Sequence, residues 1–291
     1  MEASPDALSA WPAPAKLNLY LHVTGRRADG YHELSTAFQF LDFGDRLWFA
    51  PRDDGEFRLH DPVPGVAVED DLVARAVRSL ECAAGRSLGM DVRRDKRIPV
   101  GGGLGGASSD AATTLVAVNA LAGLGLDGER LAALALELGA DVPVFVRGAA
   151  AHALGVGERL FAAEFPEPWY VVIHPAVSVS TAAIFAAPEL TRDSEPAKMS
   201  AFSLDEARND CEPVVRRRYP EIARALDWLR DRGPARLTGT GSCVFTWRDG
   251  RDAAAALAAE VPGPWRAIVA RGRNRSPLRE RLRRERGNVG A

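Results

Sequence analysis

"IPVGGGLGGASSDAATTLVAVNALAGLG", residues 98–125, puts five glycines into the six positions Gly101–Gly106, directly before a long helical pattern. Glycine permits positive φ and close approach of main-chain N–H groups to a ligand, at about 0.5–1 kcal/mol each relative to alanine in regular structure. A helix N-terminus leaves four N–H donors unpaired and carries partial positive charge, so a glycine loop feeding one is an anion site. Phosphate is the first expectation. Ser108 or Ser109 is expected to cap the helix, with Asp110 in its first turn and Leu115, Val116, Val118 and Leu121 forming one apolar side.

The loop formally contains G-x-G-x-x-G, which raises a dinucleotide-binding fold. That reading needs a second strand ending in an acidic residue about 20 positions on. Asp127 has the spacing, but one helix and a turn separate it from the loop, with no strand between. A Walker loop needs lysine after its last glycine, and Gly106 is followed by Ala107. The H-R-D and D-F-G motifs of a protein kinase do not occur.

Outward from the loop, residues 16–49 alternate apolar and polar, break at Asp29-Gly30 and alternate again, which predicts an antiparallel hairpin. Period 2 sorts Leu17, Leu19, Leu21 and Val23 onto a core face. Lys16, Asn18, Tyr20 and His22 fall on a polar face that could line a cleft. Residues 70–84 and 127–139 have helical spacing, and 90–99 reads as a strand running into the loop. Asp141, just before Val142-Pro143, suits a helix cap. The proline-led stretch "FPEPWYVVIHPAVSVSTAAIF" (165–185) then turns β-rich, which divides the chain into residues 1–164 and 165–291. The second part mixes helices, interrupted by Pro213 and Pro220, with strands around "ARLTGTGSCVFTW" and "WRAIVAR".

The whole chain bounds these readings. Its 291 residues are 46% hydrophobic and 26% charged, with net charge −2 and pI near 6.3. That balance argues against a dedicated nucleic-acid binder. Three scattered cysteines suggest neither disulfides nor a zinc site. The absence of a signal-peptide pattern and of a long apolar run points to a cytoplasmic protein without membrane contact. A homodimer is compatible with the sequence, which does not set the oligomeric state. Eight arginines between residues 271 and 286 read as a solvated last helix or frayed tail, with a weak RNA contact as the alternative.

Pro99-Val100-Gly101-Gly102-Gly103-Leu104-Gly105-Gly106-Ala107-Ser108-Ser109 resembles the ATP-phosphate loop of the GHMP small-molecule kinases. "GADVPVFVRGAAAHALGVGE" (139–158) and "LTGTGSCVF" (237–245) resemble the same family. Within it, residues 14–45, "STAAIFAAPEL" (180–190) and "NDCEPVV" (209–215) are similar to members that phosphorylate a cytidine-diphosphate-linked methylerythritol on the non-mevalonate route to isoprenoid precursors. The resemblance covers about residues 13–247. It implies an α+β fold of two domains, ribosomal-protein-like then ferredoxin-like, with ATP and Mg²⁺ as cofactors.

The resemblance also implies roles. Residues 99–109 would hold the triphosphate, with Ser108 and Ser109 adding hydroxyls to phosphate or magnesium and Lys96 approaching the nucleotide. Asp141 would accept the proton of the substrate hydroxyl, with Lys16 as its partner. Tyr31 and Phe185 would sandwich the cytosine ring, His32 would bond its polar edge, and Asn18 and Thr181 would add contacts. Mevalonate, homoserine or a sugar are alternative acceptors on the same scaffold. None of these carries a nucleobase, so none has a use for the aromatic pair.

Overall fold

The computed structural model describes residues 9–197, 202–204 and 207–288. The alternating segment forms the hairpin: β1 (Ser9–Arg26) lies antiparallel to β2 (His32–Pro51). The chain continues through β3 (Phe57–Leu59), α1 (Leu72–Ala84), β4 (Met90–Asp95), α2 (Gly106–Leu121), α3 (Gly128–Leu138), α4 (Val142–Arg147), β5 (Ala151–Gly155) and β6 (Arg159–Ala162). A second lobe carries β7 (Trp169–His174), α5 (Thr181–Phe185), α6 (Glu212–Arg218), α7 (Pro220–Arg230), β8 (Arg236–Leu237), β9 (Val244–Arg248), α8 (Arg251–Ala259) and β10 (Arg266–Arg273). The last described element, α9 (Pro277–Asn288), returns to the first lobe.

The long strand β2 is the spine. β1 pairs along one edge, while the other edge takes β5, β10 and β4 in succession. Through β10, which also pairs with β7, the two lobes share one sheet. Helices α1–α4 and α9 build one core against β1 and β2, helices α6–α8 another against β7 and β9, and a third cluster around Leu17, Leu19 and Phe245 joins them.

Three sequence expectations give way here. The two-face sorting of β1 fails because the register shifts between Asn18 and Tyr20, a bulge that reverses the faces beyond it. Leu17 and Leu19 therefore pack with Tyr20 between the lobes, whereas Leu21 and Val23 enter the second core. Tyr20, expected in the cleft, is 1% exposed and bonds Nδ1 of His152 at 3.2 Å. α2 is buried on every side from Ser109 to Asn119 rather than along one stripe. Pro213 and Pro220 open α6 and α7 instead of interrupting a helix, as suits a residue without an N–H to lose in the first turn.

Candidate active site

A cavity of about 1050 Å³ opens between the lobes, enough for a nucleotide and a second substrate together. Its middle is the glycine loop, with every residue from Pro99 to Ser108 on the wall. Backbone bonds clamp that loop on both sides. Lys16 N–H donates to Leu104 O at 3.0 Å, and the N–H groups of Ser242 and Cys243 donate to Gly101 O and Gly102 O at 3.2 and 3.1 Å. The approach is close enough to require glycine at Gly103: φ is 74°, and a Cβ would lie 2.4 Å from Thr238 O.

α2 starts at Gly106, earlier than a serine cap would place it, and its cap is the left-handed Gly105 with no side-chain bond. The first-turn N–H groups of Gly106, Ala107 and Ser108 are thus left without helical acceptors on the cavity wall. Partial positive charge at this end makes the place suitable for an anion. Ser108 lines the cavity. Ser109, one helical step of about 100° around, is fully buried off the wall, and its hydroxyl has no hydrogen-bond partner. Asp127 accepts from Arg130 N–H at 2.8 Å as the cap of α3, a local structural use.

Beside the loop, Lys16 Nζ lies 3.3 Å from Asp141 Oδ2. Lys16 is almost wholly buried, and Asp141 is exposed toward the cavity it lines. Asn18 fixes the lysine: its Oδ1 accepts from Nζ, its Nδ2 donates to Thr36 Oγ1 at 2.9 Å, and its backbone N–H donates to Thr238 Oγ1 at 2.9 Å. Asp141 occupies the cap position of α4 without making a side-chain cap bond. Its carboxylate is therefore directed to Lys16 and the cavity instead of the helix.

Beneath the loop lies a buried charge network that pattern reading missed, because its bonded partners are 14 to 51 residues apart. Lys96 Nζ donates to Asp45 and, at 3.0 Å, to Asp110 Oδ2. Arg94 bonds Asp71 Oδ2 at 2.8 Å and Asp110 Oδ2 at 3.4 Å. Asp45 Oδ1 also accepts the N–H groups of Arg97 and Ile98 at 2.5 and 2.7 Å, shaping the turn that enters the glycine loop. Lys96 lines the cavity but is already paired, and its ammonium occupies space that a Cβ on Gly106 would need.

Three carboxylates face two cations in this network, and burial pushes Asp110 up to about 7. Its folded value lies above the ordinary 3.8, so the carboxyl's contribution to stability is complete below that value and is lost as pH rises through about 7. In metal-free, nucleotide-free buffer, Asp110→Asn is expected to remove about 1 kcal/mol of the stability lost between pH 6 and 8. Chemical denaturation of both proteins at the two pH values measures it. An equal pH dependence in parent and variant would rule out that proton.

At the far end of the cavity Tyr31, His32, Thr181 and Phe185 converge. Tyr31 is 64% exposed, and the His32 and Phe185 rings stack with centroids 5.0 Å apart at 25°. The expected Tyr31–Phe185 sandwich therefore has His32 already against one of its rings. Thr181 Oγ1 meets Thr240 Oγ1 at 2.9 Å, tying α5 to the loop that backs the glycines. Burial, then the charges of Arg192 and Arg26, hold His32 below the usual imidazole value. Arg192, which no residue pattern singles out, donates to His32 Nε2 at 3.1 Å.

A cleft that sets an anion-binding helix end against a carboxylate–ammonium pair is built for phosphoryl transfer to a small hydroxyl compound, the work of a small-molecule kinase. Comparison with known proteins agrees. The family model for the N-terminal domain of GHMP kinases matches residues 71–149, and that for their C-terminal domain matches residues 191–267. The chain is 55% identical over 277 residues to a 4-diphosphocytidyl-2-C-methyl-D-erythritol kinase of Halorhodospira halophila, covering 93% of this chain and 95% of that one. It is 57% identical to the protein of the same name from Nitrosococcus oceani, covering 92% and 96%. A crystal structure of 4-(cytidine 5'-diphospho)-2C-methyl-D-erythritol kinase superposes with a TM-score of 0.81 at 34% identity, covering 91% of this chain and 99% of the other. A homoserine kinase from Cytophaga hutchinsonii shares the fold, with a TM-score of 0.65 at 16% identity. The chain belongs to the 4-diphosphocytidyl-2-C-methyl-D-erythritol kinase family of GHMP kinases.

Proposed function

We propose that this chain transfers the γ-phosphoryl group of ATP to the 2-hydroxyl of 4-diphosphocytidyl-2-C-methyl-D-erythritol, in the non-mevalonate pathway to isoprenoid precursors. One observation carries the reading: the Lys16–Asp141 pair stands between the bare N-terminus of α2 and an aromatic pocket, all on one cavity wall. Phosphate and nucleobase subsites thus flank a proton acceptor.

The first-turn N–H groups of α2 and the glycine loop cradle the triphosphate, and Lys96 adds positive charge at its base. Asp141 accepts the proton of the attacking hydroxyl, while Lys16 orients it and offsets negative charge as the loose transition state forms. Mg²⁺ binds largely through substrate phosphates and water and needs few protein donors. The Ser108 hydroxyl on the wall and the buried Asp110 Oδ1, which has no hydrogen-bond partner, fit that requirement. The ion would neutralise charge on the phosphates. Asn18 acts through Lys16, and Thr181 holds the pocket's helix in place.

Cytosine lies between Tyr31 and Phe185 with its polar edge at His32. Stacking on one base contributes about 1–3 kcal/mol and lies far from the reacting hydroxyl, so it strengthens ground and transition states alike. Phe185→Ala is expected to raise KM for the cytidine substrate about 10- to 100-fold with a smaller change in kcat. An unchanged KM would remove the ring from the substrate site.

Residues up to about 164 form the ATP-binding domain and those from 165 the domain closing the acceptor pocket, with α9 docked back on the first. Among the described residues no helix is long and apolar enough to cross a membrane, which accords with a cytoplasmic enzyme. A coupled assay of ADP release with a panel of acceptors tests the proposal. Turnover is expected with the cytidine diphosphate compound, whereas preference for mevalonate, homoserine, a sugar or free methylerythritol would overturn it.

A further inference from the structure

We propose that Arg192 is a positioning residue for base recognition: its guanidinium holds His32 with the ring proton on Nδ1, and this choice of tautomer makes the pocket select cytosine over uracil. The inference rests on the cavity being a cytidine site, as proposed above.

A guanidinium has five N–H donors and no acceptor. Arg192 Nε donates to His32 Nε2 at 3.1 Å, so that nitrogen must accept and the neutral ring carries its proton on Nδ1. Three of the other four donors of the same group are bonded to the backbone. Nη1 bonds Leu190 O at 3.0 Å, and Nη2 bonds Phe185 O and Ala187 O at 2.9 and 2.7 Å. The guanidinium is thus fixed by the chain that follows α5, and the imidazole is fixed by the guanidinium. Stacking on Phe185 and 8% exposure leave the ring little freedom to turn. Burial, and after it the neighbouring charges of Arg192 and Arg26, favours the uncharged ring.

His32 lines the cavity and Arg192 does not. The group presented to a bound pyrimidine is then Nδ1–H, a donor. Cytosine offers an acceptor at N3, next to its acceptor O2, whereas uracil carries a hydrogen on N3. Against cytosine the donor is satisfied, and against uracil two donors meet. The opposite tautomer would present an acceptor and reverse the preference. Stacking alone cannot make this distinction, because every base has a π face.

The test combines a spectroscopic and a kinetic measurement on the full chain. In ¹⁵N-histidine-labelled protein, the His32 signals, assigned by their loss in His32→Gln, are expected to show protonated Nδ1 and unprotonated Nε2. A parent protein with the proton on Nε2 would overturn the proposal without any variant having to fold. Steady-state kinetics then compare cytidine- and uridine-diphosphate-linked methylerythritol on the parent, Arg192→Met and Arg192→Lys. Arg192→Met is expected to lose about 10-fold or more of the cytidine preference in kcat/KM, mostly through KM. Arg192→Lys should keep most of that preference, since an ammonium is also donor-only. A loss that weakens both substrates equally would reduce Arg192 to a support for the loop after α5 and overturn the proposal. A parent enzyme indifferent to the base, or active on an acceptor without one, would overturn the cytidine reading itself, an outcome visible before any variant is made.

Discussion

Asp141→Asn is expected to lower kcat by about 10² to 10⁴ while leaving the fold and the KM for ATP nearly unchanged. The amide keeps the size and shape of the side chain but cannot take a proton, and a positioned base contributes a factor of this order. Structural losses are small for stated reasons. Asp141 makes no cap bond to α4, so the helix forfeits none, and Lys16 keeps Asn18 Oδ1 as an acceptor. The carboxylate is more than a third exposed, which limits what its ion pair with Lys16 adds to stability. Coupled-assay kinetics with a thermal melt would separate the two effects. A folded variant turning over at near the parent rate would leave Asp141 as a wall residue and move the search for the base elsewhere in the cavity.

The parts of this site that were legible in the sequence are those whose chemistry is local. The glycine loop, the helix it feeds, the hairpin and Asp141 before Val142-Pro143 each announce themselves within a few residues. What stayed hidden depends on pairing across the chain. The bulge between Asn18 and Tyr20 is a property of register with β2, and a strand's own alternation does not encode it. Asp45, Arg94 and Asp110 look like surface charges until the fold brings them together under the loop. Arg192 is one arginine among many, and its importance comes from a partner 160 residues away. The family resemblance supplied Tyr31, His32 and Phe185. Residue pattern alone would have left them as the end of a hairpin and a core phenylalanine.

The arginine-rich C-terminus shows the same limit most sharply, and it carries the second large effect. Deleting everything after Gly272 is expected to leave a chain that is mostly unfolded or insoluble, the opposite of what a frayed tail would give. Composition hides the reason, because only Leu278 and Leu282 are apolar on α9, but their i,i+4 spacing puts them on one face. They are 0% and 6% exposed in the first lobe's core, and Arg281 lies over the Trp11 ring at 4.6 Å. Ahead of the helix, Asn274 is a junction. Its side chain accepts from Phe165 N–H at 3.0 Å and donates to Phe165 O at 2.8 Å, while its backbone O accepts from Ala150 N–H at 2.7 Å. Exposing two buried leucines costs about 1.5–3 kcal/mol each, and each lost hydrogen bond about 1 kcal/mol. The sum approaches the roughly 5–15 kcal/mol that holds a whole domain together. Leu278→Ala alone should cost about 2–5 kcal/mol, a loss that denaturant titration can read in a protein that still folds. If the truncated chain instead melts within a few degrees of the parent and keeps its turnover, α9 is an ornament on the first lobe and these contacts stabilise nothing that the remaining core does not already secure.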